Sequence, residues 1–383
     1  MSGELSVPEK EFETRVARTK KILVEKGLDA LLAVSGYAER EGHVCYLTNH
    51  HSSFPFSAWD GYRKGLGYSA VLLPSDGSSL LIMPMDYQKD ALIGVESVKV
   101  EANLAAGIVG CLKEKKLLGK KIGVAGMDIL PAGLYKEICQ STPETAFVEA
   151  NEVLEAQRMI KSDVELKLLR ESARIADIGL EAGLNAVVDG VAEYKVGLAA
   201  AEAAMEAGAD YIVRTRVHSG VWTAKPRWPV ATHKKIRKGE MVTLDLIGWR
   251  KNYAFDVFRA TVAGKPTEQQ KKLLEAGAKV TEAQIKSIKP GVTAEETCSA
   301  VTQLLTELGY KQHMRQFGHG IGIDVVENPY TLPGNKTELK TNMVLCLEPG
   351  ITIPELGSVR IEDEVIVTES GTELISHCPR IPW

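Results

Sequence analysis

The chain has 383 residues, 44% of them apolar and 25% charged, with a net charge of -4 and a pI near 6.1. These are ordinary globular values, and at roughly 100–200 residues per domain the length fits two domains. There is no basic stripe for nucleic acid, no polybasic tail for a membrane surface, and no run approaching the roughly 18 apolar residues that would span a bilayer. The first residues are polar with no apolar signal core, so the expectation is a cytoplasmic protein. Cys45, Cys111, Cys139, Cys298, Cys346 and Cys378 form no CxxC pair. Widely spaced cysteines in a chain of this size read as reduced, mostly buried thiols rather than a zinc ribbon.

The segment 1–155 alternates helix and strand. Phe12, Val16 and Leu23 mark one helical face, and Gly27 suits the stop. Residues 30–34 form an apolar strand. Residues 68–73 and 80–83 flank Pro74-Ser75-Asp76-Gly77 as a hairpin, and 122–125 give a further strand. This is a small α/β domain with no evident chemistry. His50 and His51, with Trp59, Tyr62 and Arg63, fall in a stretch that reads as a solvated loop, with a substrate-facing loop as the alternative.

A second domain, 156–383, opens near Ser162-Asp163-Val164-Glu165, which has capping-box spacing. The helix after it carries Leu169, Ala173, Ala176 and Leu180 on one side. The chain then repeats itself. Gly190-Val191-Ala192-Glu193 opens an Ala-rich helix ending near Gly208, and Gly291-Val292-Thr293-Ala294-Glu295 opens another ending near Gly309. The offset is 291 − 190 = 101 residues.

Two acids sit inside apolar strands, Asp245 in Val242–Ile247 and Asp256 in Tyr253–Phe258. Their midpoint, 250.5, lies in the polar turn from Gly248 to Asn252, so a hairpin folded there sets Asp245 directly opposite Asp256. Cross-strand partners have Cβ atoms about 4.5–5.5 Å apart. Two desolvated like charges at that separation need compensation, and a bound cation is the simplest. An edge hairpin with solvated acids is the bland alternative. The arrangement returns later. Met343 to Glu348 is an apolar strand ending in an acid, with Val359 to Val367 as its partner. Glu362 and Glu364 share a face of that partner, and either could oppose Glu348. Symmetry about residue 355, in Pro354-Glu355-Leu356-Gly357, favours Glu362.

Four carboxylates are balanced by two divalent cations, and paired metals are a known device for generating hydroxide and stabilising an oxyanion. The fifth ligand is expected at His319 in Gly318-His319-Gly320-Ile321-Gly322, where alternating glycines let the backbone pass close to a metal. Oxygen ligands with one imidazole suit Mn, Co, Fe or Zn without choosing among them.

With these motifs in place, the sequence resembles the pita-bread metallopeptidases: Xaa-Pro dipeptidases, aminopeptidase P, methionine aminopeptidase and creatinase. The resemblance is strong over about 160–375 and looser before it. It implies an α/β (α+β) fold in which a creatinase/prolidase-like N-terminal domain precedes a pseudo-symmetric catalytic domain, a curved antiparallel sheet covered by helices. It implies a dinuclear site on Asp245 in LDLIG, Asp256 in YAFDVFRATVAG, His319 in GHGIG, Glu348 in LEPGI and Glu362 in VRIEDEVIVT. Glu348 would serve as both ligand and proton shuttle, manganese is a candidate ion, and a homodimer is expected.

The family's substrate-handling histidines are absent. Arg227 stands where a segment like SGPNAAIPHH has histidine, Val326 replaces a histidine after GHGIG, and Arg315 lies four residues before His319. Arginine binds carboxylates in a bidentate way, so Arg227 and Arg315 are candidates to hold an anionic substrate group. The alternative is that they neutralise surplus acids such as Asp324, Glu327 or Glu364. His218 and His233 flank the altered segment and read as packed or surface residues, with replacement of a lost histidine role as the alternative. The expected activity is metal-dependent hydrolysis of an amide or peptide C–N bond, Xaa-Pro dipeptidase-like. The rivals are a creatinase-like hydrolase or lyase acting on a small non-peptide metabolite, and a non-catalytic binding module.

Overall fold

The computed structural model describes residues 5–36, 40–51, 63–84, 94–225, 230–311, 314 and 316–381. The chain divides into two compact units, Ser6–Arg158 and Met159–Trp383, with Leu5 counted in the second.

The first unit runs α1 (Glu9–Glu25), β1 (Ala30–Gly36), α2 (Gly42–Thr48), β2 (Tyr68–Pro74), β3 (Leu80–Met83), β4 (Ser97–Val100), α3 (Leu104–Glu114), β5 (Lys121–Ala125), α4 (Ala132–Ser141), β6 (Ala146–Glu149) and α5 (Glu152–Met159). Its six strands form one mixed sheet in the order β4-β3-β2-β1-β5-β6. β1 is buried along its whole length, as a central strand covered on both faces must be. The expected hairpin is β2–β3, with Leu72 opposite Leu80. In α1 the buried face is Phe12, Arg15, Thr19 and Leu23, with Val16 half-buried. Arg15 joins it because its guanidinium lies 4.3 Å over the Tyr46 ring and donates to Tyr46 O at 3.0 Å.

The second unit is built twice from the same plan. The first half holds α6 (Asp163–Asn185), α7 (Glu193–Glu206) and the sheet β7 (Tyr211–Ser219), β8 (Met241–Arg250), β9 (Tyr253–Val262). The second holds α8 (Glu268–Ser287), α9 (Ala294–Glu307), β10 (Gly318–Gly320), β11 (Val344–Leu347), β12 (Gly350–Ile353), β13 (Gly357–Arg360), β14 (Asp363–Val367) and β15 (Thr372–Leu374). The predicted capping box at Ser162 and Glu165 is formed, and Thr267 and Thr293 cap α8 and α9 in the same way. The repeat extends to backbone contacts. Gly190 N donates to Ile236 O and Gly291 N to Leu339 O, while Glu193 N donates to Lys234 O and Ala294 N to Thr337 O. Leu180, Ala200, Val242, Leu244 and Val257 pack the first core, and Leu273, Val280, Val301, Phe317 and Val359 a second.

The β8–β9 hairpin corrects the expected register. Its turn is the two residues Lys251 and Asn252, both with positive φ (49° and 71°), the geometry that matches strand twist. The ladder is therefore centred past residue 251, so Asp245 faces Phe258 and Asp256 faces Ile247. The two acids still share a face, as diagonal rather than direct neighbours.

The later hairpin keeps the symmetry about residue 355. Leu347 faces Asp363 and Val344 faces Ile366 in one stretch, while Ile353 faces Gly357 and Gly350 faces Arg360 in another, all in a single register. The ladder opens between the two stretches, at Glu348-Pro349 and Ile361-Glu362. There Glu348 N donates to Phe317 O at 2.9 Å and Glu362 N to Phe258 O at 3.0 Å.

Arg259 fastens the two halves beside that opening. Fully buried, it donates to Phe258 O (2.9 Å), Glu362 O (2.6 Å), Cys378 O (2.7 Å) and Asp363 Oδ1 (2.6 Å). Arg380 donates to the other Asp363 oxygen at 2.5 Å. Removing one partner of a buried ion pair typically costs about 3–5 kcal/mol. Arg259→Met should fall at the lower end, because Arg380 still serves Asp363, and urea unfolding should show the loss together with weakened divalent-metal binding.

Candidate metal centre

The first half contributes Asp245 and Asp256 and the second contributes His319, Glu348 and Glu362. All five lie in the second unit, and the structure brings them together. His319 is seated by its glycines. A Cβ at Gly318 would come within 2.2 Å of Cys346 O, and one at Gly320 within 2.4 Å of Asn328 O, so no larger residue fits either side of it. The ring's Nδ1 lies 2.9 Å from Gly320 O. A carbonyl can only accept, so Nδ1 carries the proton and the Nε2 lone pair faces inward.

Around that lone pair stand three carboxylates: Asp256 Oδ2 at 3.9 Å, Glu348 Oε1 at 4.0 Å and Glu362 Oε1 at 3.9 Å. All are too far for hydrogen bonds, and all are spaced as donors around a shared cation. Glu362 Oε1 is buried with no hydrogen-bond partner. Oxygens of Asp245, Asp256 and Glu362 also lie within 4.8 Å of one another, giving a second set that could hold an ion. The donors thus fit a pair of divalent cations.

Protein cations meet part of the charge. Arg216 on β7 holds Asp245 Oδ2 at 2.6 Å, with Arg214 at 3.8 Å, and Arg360 holds Glu348 Oε2 at 2.7 Å. Both Arg216 and Arg360 lie over the Phe258 ring, at 5.9 and 5.3 Å. Burial, reinforced by the neighbouring acids, pushes Asp256 and Glu362 well above the ordinary carboxylate range. Glu364 does not line the ion-sized space. It pairs across the ladder with Cys346, accepts Asp256 N–H at 2.8 Å, and burial raises it to about 8.

Arg227 and Arg315 lie outside the described residues, as do Trp59 and Tyr62. Glu327 pairs with Lys161 at 3.3 Å, with both side chains buried. Val326 is exposed. His218 is buried on β7, and His233 packs against Tyr194 in a tilted pair with ring centroids 4.7 Å apart. His50 and His51 are not a solvated pair. Both are half-buried, and His51 contacts Glu41 and Cys45. Sequence reasoning missed Arg214, Arg216, Arg360 and Cys346. Each lies at period-2 spacing within a strand or toward a ligand, Arg360 and Cys346 two residues before Glu362 and Glu348, and that alternation was the available signal.

Comparison with known proteins assigns this site to a family. Residues 167–369 match the model of metallopeptidase family M24, and residues 15–160 match the creatinase/prolidase N-terminal domain. The chain belongs to metallopeptidase family M24. It is a metal-dependent hydrolase of peptide bonds with the pita-bread fold. An Xaa-Pro dipeptidase of Pyrococcus horikoshii is 30% identical over 81% of this chain and 87% of its own length. An uncharacterized peptidase of Bacillus subtilis is 32% identical over 96% and 98%. Among solved structures, the prolidase from Pyrococcus horikoshii superposes with a TM-score of 0.81 at 26% identity, covering 96% of this chain and 99% of that one. The described residues include no helix long and apolar enough to cross a membrane.

The raised carboxyls fix a pH dependence for metal-stripped protein. Asp256, Glu362 and Glu364 bind protons more tightly folded than unfolded, so their contribution is fully present below the unfolded value. It is lost as pH rises through the folded one, from 4.5 to about 8 for Glu364. Stripped protein should therefore melt at a lower temperature as pH is raised across that range, and saturating divalent cation should flatten or invert the trend. A stripped-protein melting temperature that climbs with pH would contradict this reading.

Proposed function

We propose that the chain is a two-metal, Xaa-Pro dipeptidase-like hydrolase with Asp245, Asp256, His319, Glu348 and Glu362 as ligands. One observation carries the reading: the inward Nε2 of His319 faces three carboxylate oxygens at 3.9–4.0 Å, none of them hydrogen-bonded to it. When bound, a pair of divalent cations supplies Lewis acidity and lowers the pKa of water. Manganese, cobalt, iron and zinc all suit the donor set.

The chain's own residues do the rest. Glu348 has the most accessible side chain of the acids around His319, 13% exposed against 9% for Asp256 and 3% for Glu362. Arg360 fixes its Oε2, leaving Oε1 to take a proton from the attacking water and deliver it to the departing nitrogen. Arg216 and Arg360 restrain Asp245 and Glu348 against mutual repulsion. Arg227 and Arg315 would hold the substrate's carboxylate, a group every dipeptide carries at its C-terminal end. A cytoplasmic homodimer is the assembly that accompanies this reading.

The relatives reported above are peptidases, so a creatinase-like reaction on a small metabolite is not favoured. A binding-only module would have no use for five ligand types around one space.

Purified protein loaded with manganese, cobalt or zinc should cleave Xaa-Pro dipeptides, and chelator should abolish the activity until metal is restored. Glu348→Gln should lower kcat by about 100-fold or more, within the range of general acid–base effects. Arg227→Ala should raise KM for dipeptides while leaving kcat within a few-fold. Robust turnover in excess chelator would defeat the two-metal reading, and an unchanged KM would remove Arg227 from the substrate.

A further inference from the structure

The first unit carries reactive groups that peptide hydrolysis does not use, gathered at α2 and the residues either side of it. Cys45 Sγ lies 3.2 Å from His51 Nε2, and His51 Nδ1 is hydrogen-bonded to Glu41 Oε2. Glu41 and Cys45 are buried, at 5% and 2% exposed, while the His51 side chain keeps 23%. An acid that orients an imidazole, which in turn meets a thiol, is the general geometry of an activated nucleophile.

The local chain is built to hold it. Glu41 immediately precedes α2 and Cys45 lies one turn on. Asn49, in the left-handed conformation (φ 63°), ends the helix and turns the chain back. His50 N then donates to Thr48 Oγ1 at 3.0 Å. Ser35 Oγ pins the start, donating to Glu41 O at 3.0 Å and accepting from Val44 N at 2.9 Å.

The electrostatics agree. Burial opposes a charge on His51, but Cys45 and Glu41 outweigh it and hold the imidazole well above its ordinary range. His50 beside it is driven down to about 4 by burial and by His51, so it stays neutral. The other ionisable groups of this region are already engaged. Arg15 stacks on Tyr46, and Arg158 Nη1 lies 3.2 Å from His43 Nδ1. Four of the remaining thiols differ. Burial pushes Cys111 up and Cys298 and Cys378 to about 11, while Cys346 Sγ turns to Asp256 O at 3.7 Å among acids that raise it further.

We propose that Cys45 is a reactive thiol, activated by His51 and oriented through Glu41, and a modification site for small soft electrophiles such as hydrogen peroxide. His51 Nε2 takes the thiol proton, and the thiolate attacks one peroxide oxygen as the O–O bond breaks. The departing hydroxide takes the proton from His51 and leaves as water. Sulfur is oxidised by two electrons to a sulfenic acid while peroxide is reduced. The burial of Cys45 favours small reagents over bulky ones.

The test is site-resolved alkylation of the intact folded protein with iodoacetamide, read by peptide mass spectrometry, and peroxide treatment with dimedone trapping. Cys45 should alkylate at least about tenfold faster at pH 7 than Cys111, Cys298 and Cys378, and its rate should stay nearly flat below the usual thiol pKa of about 8.5. It should also carry the dimedone adduct. Glu41→Gln and His51→Asn should each slow Cys45 at pH 7 and restore the pH profile of an ordinary thiol, with the melting temperature as a folding check. If either variant unfolds, the other variant and the wild-type pH profile decide. A wild-type Cys45 that labels no faster than Cys111, Cys298 and Cys378, that follows an ordinary thiol's profile, or that is indifferent to both substitutions in folded protein overturns the proposal.

Discussion

The second unit is organised around one electrostatic problem, the burial of several carboxylates within a few ångströms of one another. Isolated in a low-dielectric interior, each would be driven to protonate, and together they would force the strands apart. Three answers are visible. Arg216 and Arg360 take one oxygen each from Asp245 and Glu348. Asp256 and Glu362 are held above their ordinary range. The inward lone pair of His319 adds a donor where an uncompensated cluster would call for a positive charge. A pair of divalent cations would satisfy these groups together, so a cluster this costly alone is compatible with a stable fold.

Much of this was legible in the sequence, because the acids interrupt otherwise apolar strands and recur after a near-constant interval. The interval held down to individual hydrogen bonds, with Gly190 and Gly291 each closing a loop onto the strand-side segment of its own half. The register of the first hairpin was not legible from symmetry alone. The midpoint of the two aspartates falls in the polar stretch, but the turn is fixed by which residues accept positive φ, and Lys251-Asn252 takes that role one residue later. A shift of one residue in the turn centre moves partners by two, so the acids kept their common face and lost only their direct opposition.

The arginines escaped notice for a different reason. On a strand with an exposed end, Arg214 and Arg216 read as ordinary solvated positions, and only the pairing of β7 with β8 reveals that Arg216 faces Asp245. His50 and His51 were misjudged in a similar way. A polar stretch between apolar segments usually means water, yet the left-handed Asn49 folds this one back against α2. Sequence pattern reports which residues prefer burial. It does not report which polar residues are carried inside by a turn.

The opening in the β11–β14 hairpin has a consequence for how the protein tolerates change. Glu348 and Glu362 leave the ladder at the same rung, so the two strands on either side behave as one ruler with a gap cut in it. Length can vary at the far tip, Pro354–Leu356, without moving that gap. A single residue gained or lost between the tip and either glutamate would slide one arm past the other, turn one acid out of the cluster and break up the candidate ligand set. Variation among homologous chains should therefore collect at the tip and be nearly absent along the arms.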